Sequence, residues 1–354
     1  MKIFKSNLIA SLTLIISIII FTLSLGYYEI SAPSKDNTKQ TIEIKPGSVD
    51  SIATTLLDEG YIRNKLAFKI YVKLSNKTNL KAGTYSLSKN MGVAKIVDIL
   101  AKGSKLNNVK ITFKEGINIR RLARVIEENT TNNLEDINNI LADKDYLKTL
   151  INKYWFLTDD ILNEDIYYPL EGYLFPSTYH FNTKDVSPKV IIEAMLNETE
   201  KQLNNYKEDI ERSGKTVHEL LSLASIIELE ASGAEDRAKI AGVFYNRLEK
   251  NMNIGSDVTT YYGVKVDIGQ RDLTRAEVQE CNNYNTRCAT FKTIPISPIC
   301  TSSIDSIKAA ILPDNNDYYY FVSDKNKKVY FSKTFTEHDN TISRLKREGL
   351  WFEY

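Results

Sequence analysis

From Asn7 to Tyr27 the chain carries no charged residue and consists mostly of Leu, Ile and Phe. About twenty such residues is the length at which an α-helix spans the hydrocarbon of a bilayer. Lys2 and Lys5 before the run, with Tyr27, Tyr28 and Glu29 after it, place the N-terminus in the cytoplasm and the rest of the chain outside. A cleaved signal peptide is the competing reading, but its apolar core is usually shorter and ends at a small-residue site. Ser31-Ala32-Pro33 is a poor cleavage site, so a retained single-pass anchor over residues 7–27 is expected. No cysteine follows the run, which argues against lipid attachment.

The 354 residues, 42% of them hydrophobic, suffice for a large core divided over two or three domains. A net charge of +1 gives no basic face for nucleic acid. His180, His218 and His338 are scattered and have no paired metal-ligand spacing with the cysteines, so neither a metal nor a cofactor is expected. The three cysteines, Cys281, Cys288 and Cys300, imply one disulfide and one free thiol outside the membrane.

Residues 31–40 read as a solvated linker. Thr41–Ile44 alternates as a strand does, Pro46-Gly47 turns it, Ser48 caps a helix, and a second helix runs from Asn64 to Leu74. Lys81 to Tyr85 begins the next strand, giving the order strand, helix, helix, strand, and Gly92–Ala101 adds a short helix. Val109–Phe113 opens a second region as a strand, followed by a helix over Ile119–Glu128. Helical patterns fill the stretch from about 130 to 214, including a long helix that starts at Pro188, where no amide is needed. Near the C-terminus, Tyr318–Val322 and Lys328–Phe331 read as a hairpin, with a final helix after His338. The fold class is α+β.

Leu223 to Gly263 is the place to look for chemistry. Thr216 and Glu219 form a capping box that starts a helix at Val217. At about 100° per residue, Glu228 falls inside the helix's apolar arc and Glu230 at its edge, so the two acids point to different sides. A carboxylate among Ile and Leu is costly to desolvate and has to be neutral, paired or catalytic. Pairing with Arg237 or Arg247 is the purely structural alternative. Ala231-Ser232-Gly233 interrupts the helix, another resumes from Glu235 to Asn251, and Ser256–Thr259 reads as a polar loop.

Several blocks here resemble the YceG-like family of endolytic murein transglycosylases. They are Glu228-Leu229-Glu230, Ala241 to Leu248, Ser256-Asp257 with Tyr262-Gly263, and Tyr284-Asn285-Thr286. Further blocks follow the family's order, among them Lys81 to Tyr85, Leu170 to Pro176, Tyr320-Phe321-Val322 and Glu337-His338. The resemblance implies a transmembrane helix (1–30), a linker (31–40), a LysM-like βααβ subdomain (41–105) and a catalytic domain (106–354) with a helical insertion. Its helical core would carry the catalytic glutamate. The implied reaction is cleavage of the MurNAc–GlcNAc bond in nascent peptidoglycan glycan strands, close to the membrane, with peptidoglycan synthases as candidate partners.

The family's essential acid falls on Glu230, which helical geometry alone does not separate from Glu228. A lytic transglycosylase lets the muramyl 6-hydroxyl attack its own anomeric carbon, so one glutamate serves first as acid and then as base. Such an acid needs a pKa raised to roughly 6 to 7 by apolar surroundings. Glu228, Asn246, Asp257, Tyr284, Asn285 and Glu171 are the expected supporting or substrate-binding residues. A non-catalytic wall-binding scaffold is the rival reading. Departures from the family pattern are Val258 after Asp257, Ser177 after Pro176, and a glycine-free stretch from Thr290 to Ser303. A Cys288–Cys300 disulfide would stiffen that stretch.

Overall fold

The structure, a computed structural model, describes residues 2–103 and 109–351, with side chains from residue 13 onward. The chain divides into two units, Met1–Asn108 and Val109–Tyr354. The boundary expected between residues 105 and 106 lies outside the described residues.

The first unit begins with α1 (Lys2–Ile30). Its Thr13–Ile30 window has a mean hydropathy of 1.8 and is not buried by the rest of the chain. Length and composition suit a membrane crossing, and they suit a signal sequence as well. There follow β1 (Gln40–Ile44), α2 (Val49–Asp58), α3 (Lys65–Leu74), β2 (Gly83–Leu87) and α4 (Val93–Lys102). This is the order read from the sequence, because each boundary is written locally. The Ser48 hydroxyl accepts from the Ser51 amide to start α2, and the Asn64 side chain accepts from the Leu66 and Ala67 amides to start α3. The two strands pair antiparallel with Ile42 opposite Tyr85. Their inward side chains close on Leu56, Phe68, Val72, Ile96 and Leu100, so two strands too few to stand alone are stabilised by helices.

The second unit opens with β3 (Val109–Thr112), α5 (Ile119–Asn129), α6 (Leu134–Ala142), α7 (Lys144–Lys153) and a 3₁₀ turn at Asp159–Leu162. Next come β4 (Thr178–Phe181), α8 (Pro188–Asn204), α9 (Lys207–Ser213), α10 (Val217–Glu230) and α11 (Ala234–Glu249). The chain ends with α12 (Asp257–Gly263), α13 (Arg275–Gln279), α14 (Ile304–Ile311), β5 (Tyr320–Ser323), β6 (Val329–Ser332) and α15 (Phe335–Arg347). The stretch from 130 to 214 is not all helix. It contains β4, which pairs antiparallel with β3.

At the centre of this unit, α10 is buried from Leu220 to Ile227 without interruption. A helix apolar on every side belongs inside a core, and α10 packs against α11 and α14. Its start is the capping box at Thr216 and Glu219, with both reciprocal hydrogen bonds formed. Ala231 leaves the helix in an extended conformation and ends it directly after Glu230.

Three expectations are corrected. The polar loop at Ser256–Thr259 is instead the first turn of α12, with Ser256 as its N-cap. The last helix starts at Phe335, ahead of His338, because Thr334 and Glu337 make a capping box. The disulfide joins Cys281 to Cys288, and Cys300 is the free, buried thiol whose Sγ–H faces the Ser225 carbonyl. The pairing follows the chain's path, since a loop of a few residues brings Cys281 back to Cys288 whereas Cys300 lies in the core against α10.

Candidate active site

The last turn of α10 sends three consecutive side chains to three places. Glu228 turns toward the start of α14, where its Oε2 accepts from the Ser303 amide at 3.0 Å, the Ser303 hydroxyl and the Ser306 hydroxyl at 2.6 Å. Arg237 adds an ion pair at 3.3 Å. Burial pushes this carboxyl up, but the serine hydrogen bonds and Arg237 outweigh it and hold Glu228 below the usual carboxylate range. Glu228 is therefore an ionised anchor for the N-terminus of α14, with the helix amides complementing its charge. The structural reading of a paired, buried acid holds for Glu228.

Leu229 packs beside Gly116. Glu230 points the other way and has a different environment. The Ser256 hydroxyl donates to its Oε1. Among the described residues no protein group bonds its Oε2, and no arginine forms an ion pair with it. Loss of hydration pushes its pKa up, as does Asp257, while Ser256, Arg247 and Arg287 pull it down, and the net direction is up. The side chain stays partly exposed, because it lines a cleft of about 430 Å³.

Besides α10, five segments separated in sequence build that cleft. Ser256 and Asp257 come from the start of α12, Arg287 from the loop closed by the Cys281–Cys288 disulfide, and Arg247 from α11. Tyr320 on β5, with Phe335 and His338 on α15, closes the remaining side. Arg247 is fixed by donating to the Tyr319 and Ile254 carbonyls, with its guanidinium 5.3 Å from the Tyr320 ring centroid. His338 stacks on Tyr320 at 5.5 Å. Its Nδ1 is buried without a hydrogen-bond partner among the described residues. Burial and the Arg247 charge push His338 below its usual pKa, so the ring is neutral at pH 7.

Of the expected supporting residues, Asp257 alone joins Glu230 in this cleft. It is 60% exposed and forms an ion pair with Arg287 at 2.9 Å. Asn246 faces elsewhere, its amide donating to the Asn316 and Tyr318 carbonyls at 2.9 Å each. Tyr284 is fully buried, its hydroxyl accepting from the Tyr167 amide and its ring packed on Tyr167 and Tyr262. Asn285 is also buried, and accepts from Thr260 while donating to the Val278 carbonyl. Thr286, the next residue in the chain, supports Ser256. The Ser256 amide donates to Thr286 Oγ1, and Thr286 in turn meets Thr259 at 2.8 Å.

Glu171 lies in the core with 1% exposure. The Ile119 amide donates to both of its oxygens at 3.0 Å, capping α5, and the Tyr262 hydroxyl donates to Oε2 at 3.0 Å. Burial raises its pKa to about 7. Glycine follows it of necessity, since Gly172 has φ +76° and a Cβ there would stand 2.3 Å from the Pro298 Cβ.

Arg247, Ser256, Arg287, Tyr320, Phe335 and His338 had no assigned role as cleft residues from sequence. Several stand inside the blocks that carried the resemblance, namely Ser256-Asp257, Tyr320-Phe321-Val322 and Glu337-His338. Position in a block did not say which side chain faces the groove.

One desolvated carboxyl at a helix end thus opens, with the ion-paired Asp257 beside it, into a groove lined by arginines and aromatic rings. The sequence profile of the YceG-like family matches residues 42–344, and the chain belongs to that family. Over 314 residues it is 36% identical to a Bacillus subtilis (strain 168) protein named endolytic murein transglycosylase, covering 87% of this chain and 85% of that one. A Streptococcus pneumoniae (serotype 2, strain D39) protein of the same name is 31% identical over 329 residues, 88% of this chain and 59% of its own length. The crystal structure of a YceG-like protein from Listeria monocytogenes superposes with a TM-score of 0.63 at 36% identity, covering 86% of this chain and 99% of that one.

Proposed function

We propose that this chain is an endolytic lytic transglycosylase of peptidoglycan and that Glu230 is its acid and then its base. The observation that carries the assignment is the contrast between the two acids of α10. Glu228 is saturated with donors and ionised, whereas Glu230 is desolvated, raised in pKa, and has one oxygen toward the cleft. The names of the Bacillus and Streptococcus relatives supply the substrate class.

The protonated Glu230 carboxyl gives its proton to the glycosidic oxygen as the bond from that oxygen to the muramyl anomeric carbon breaks. Positive charge builds on the sugar, and the resulting Glu230 carboxylate stabilises it. The muramyl 6-hydroxyl then bonds to the anomeric carbon and returns its proton to Glu230. The products are a 1,6-anhydromuramyl end and a free 4-hydroxyl, with no water consumed. Proximity favours this nucleophile, because it belongs to the same sugar ring. Asp257, ion-paired to Arg287 and exposed, is not needed as a second acid in this cycle, unlike the second carboxylate of a lysozyme-type hydrolase. Glu228 holds the end of α10 in place and touches no substrate.

In this reading α1 is a retained anchor, the βααβ region is a LysM-like subdomain, and the second unit is the catalytic domain outside the cytoplasmic membrane. Peptidoglycan synthases are proposed partners on the ground that newly made strands are the substrate. Purified glycan strands incubated with the full chain are expected to give 1,6-anhydromuramyl ends by mass spectrometry. Glu230→Gln is expected to abolish them. Equal activity in that variant refutes the assignment of the acid, reducing ends indicate a muramidase, and no cleavage supports the scaffold reading.

A further inference from the structure

The apolar residues of α3 do not all turn inward. Phe68 and Val72 fill the core of the first unit, but Leu66, Ile70 and Leu74 form a second stripe that is 64%, 50% and 81% exposed. At about 100° per residue, three positions spaced by four fall within one arc of about 80°. An apolar stripe left open on a folded surface marks a face that something covers. Lysines border one flank of this one. Lys65 and Lys69 share Asp50 at 2.7 and 2.6 Å, and Lys73 has no ion pair among the described residues, so the flank carries excess positive charge.

Position identifies the occupant. Arg63, next to the cap of α3, lays its guanidinium 4.4 Å from the centroid of the Tyr28 ring. It also donates to the Tyr28 carbonyl at 3.2 Å and to the Ser31 hydroxyl at 2.7 Å. These are the last residues of the apolar helix and the first beyond it. The start of α3 is thus tied to the exit of α1, and Leu66 stands less than one helical turn further on. Tyr27 and Tyr28 are the kind of amphipathic ring that favours a membrane interface.

We infer that α3 lies on the surface of the bilayer from which α1 emerges, with Leu66, Ile70 and Leu74 in the boundary between headgroups and acyl chains and the lysines at anionic headgroups. An apolar stripe beside a cationic flank is the pattern of an interfacial helix, and anionic lipid adds attraction for each lysine near the surface. The inference rests on the reading of α1 as a retained anchor. It makes the first unit a body attached at two places rather than one hanging from a single helix.

The test uses the full chain in vesicles of phosphatidylcholine, with and without phosphatidylglycerol. A single cysteine at position 66, 70 or 74 carries an environment-sensitive fluorophore, with Glu43→Cys, exposed on β1, as the reference. The native cysteines are bonded or buried, so the new thiol is the one that reacts. Lipids brominated on their acyl chains are expected to quench the three α3 sites several-fold more than position 43. Phosphatidylglycerol is expected to increase the difference, and Lys73→Glu to remove part of that increase. Carbonate washing reports the anchor separately. Retained chain whose α3 sites are quenched no more than position 43 overturns this inference alone, and chain released by carbonate overturns the anchor and this inference together. Sites shielded only in native membranes assign the stripe to a protein partner and overturn the lipid assignment.

Discussion

Glu171→Gln isolates the titration of one buried carboxyl. In the folded chain Glu171 ionises at about 7 because burial disfavours its charge, against 4.5 for an ordinary glutamate. The folded state therefore holds a proton that the unfolded state has already lost over that interval. Stability supplied by the proton is fully present below pH 4.5 and is lost as pH rises to about 7. The difference of 2.5 between those values, at roughly 1.4 kcal/mol per unit, amounts to about 3 kcal/mol. Glutamine resembles the protonated acid, because it keeps an oxygen to accept from the Ile119 amide and has no charge to desolvate. The variant should match the parent within about 1 kcal/mol at pH 4.5 and exceed it by about 3 kcal/mol at pH 8. Urea unfolding of the full chain in detergent, followed by the fluorescence of Trp155 and Trp351, each in the second unit, measures both. Every other titrating group is common to the two proteins, so their difference belongs to Glu171. Parallel curves for parent and variant between pH 4.5 and 8 would refute the argument.

Two further predictions concern the cleft and its supports. Ser256→Ala removes the hydrogen bond that its hydroxyl gives Glu230, which raises the Glu230 pKa further. With Glu230 as the proposed acid, the alkaline limb of kcat/KM for glycan cleavage marks loss of its proton and should move to higher pH. The maximum should fall by roughly tenfold, and a limb that stays still or moves down contradicts the role given to Ser256. Gly172→Ala forces a Cβ into Pro298 at a positive φ and should cost at least about 2 kcal/mol, read as a lower Tm, with an unchanged Tm as the contrary result.

Much of the fold was legible because its signals are local. Thr216 and Glu219 write the start of α10 within one turn, and Ser48 and Asn64 do the same for α2 and α3. The divergence of Glu228 and Glu230 follows from helical geometry alone. What the two acids meet does not, since Ser256 and Ser303 come from separate downstream segments, 26 and 75 residues further along the chain than the acids they bond. Tyr284, Asn285 and Asn246 looked like substrate residues because they are polar, yet each spends its polar atoms on the backbone of a neighbouring segment. No periodicity within one segment reports such a partner. The cleft's aromatic wall was missed for the same reason, as Tyr320, Phe335 and His338 lie about a hundred residues from Glu230. The disulfide followed loop geometry rather than the number of cysteines.

The end of α10 has a consequence for any remodelling of this protein. Its last three residues act as a clamp, a wedge and a tooth: Glu228 grips α14, Leu229 fills the space beside Gly116, and Glu230 enters the groove. Adding or deleting one residue between Thr216 and Glu230 would turn the helix end by about 100° and reassign all three tasks at once. Point substitutions along α10 can be graded by the volume they change, whereas its length is a setting that admits no intermediate values. New substrate range would have to come from the loops and the C-terminal helix that frame the groove, with the register of α10 left untouched.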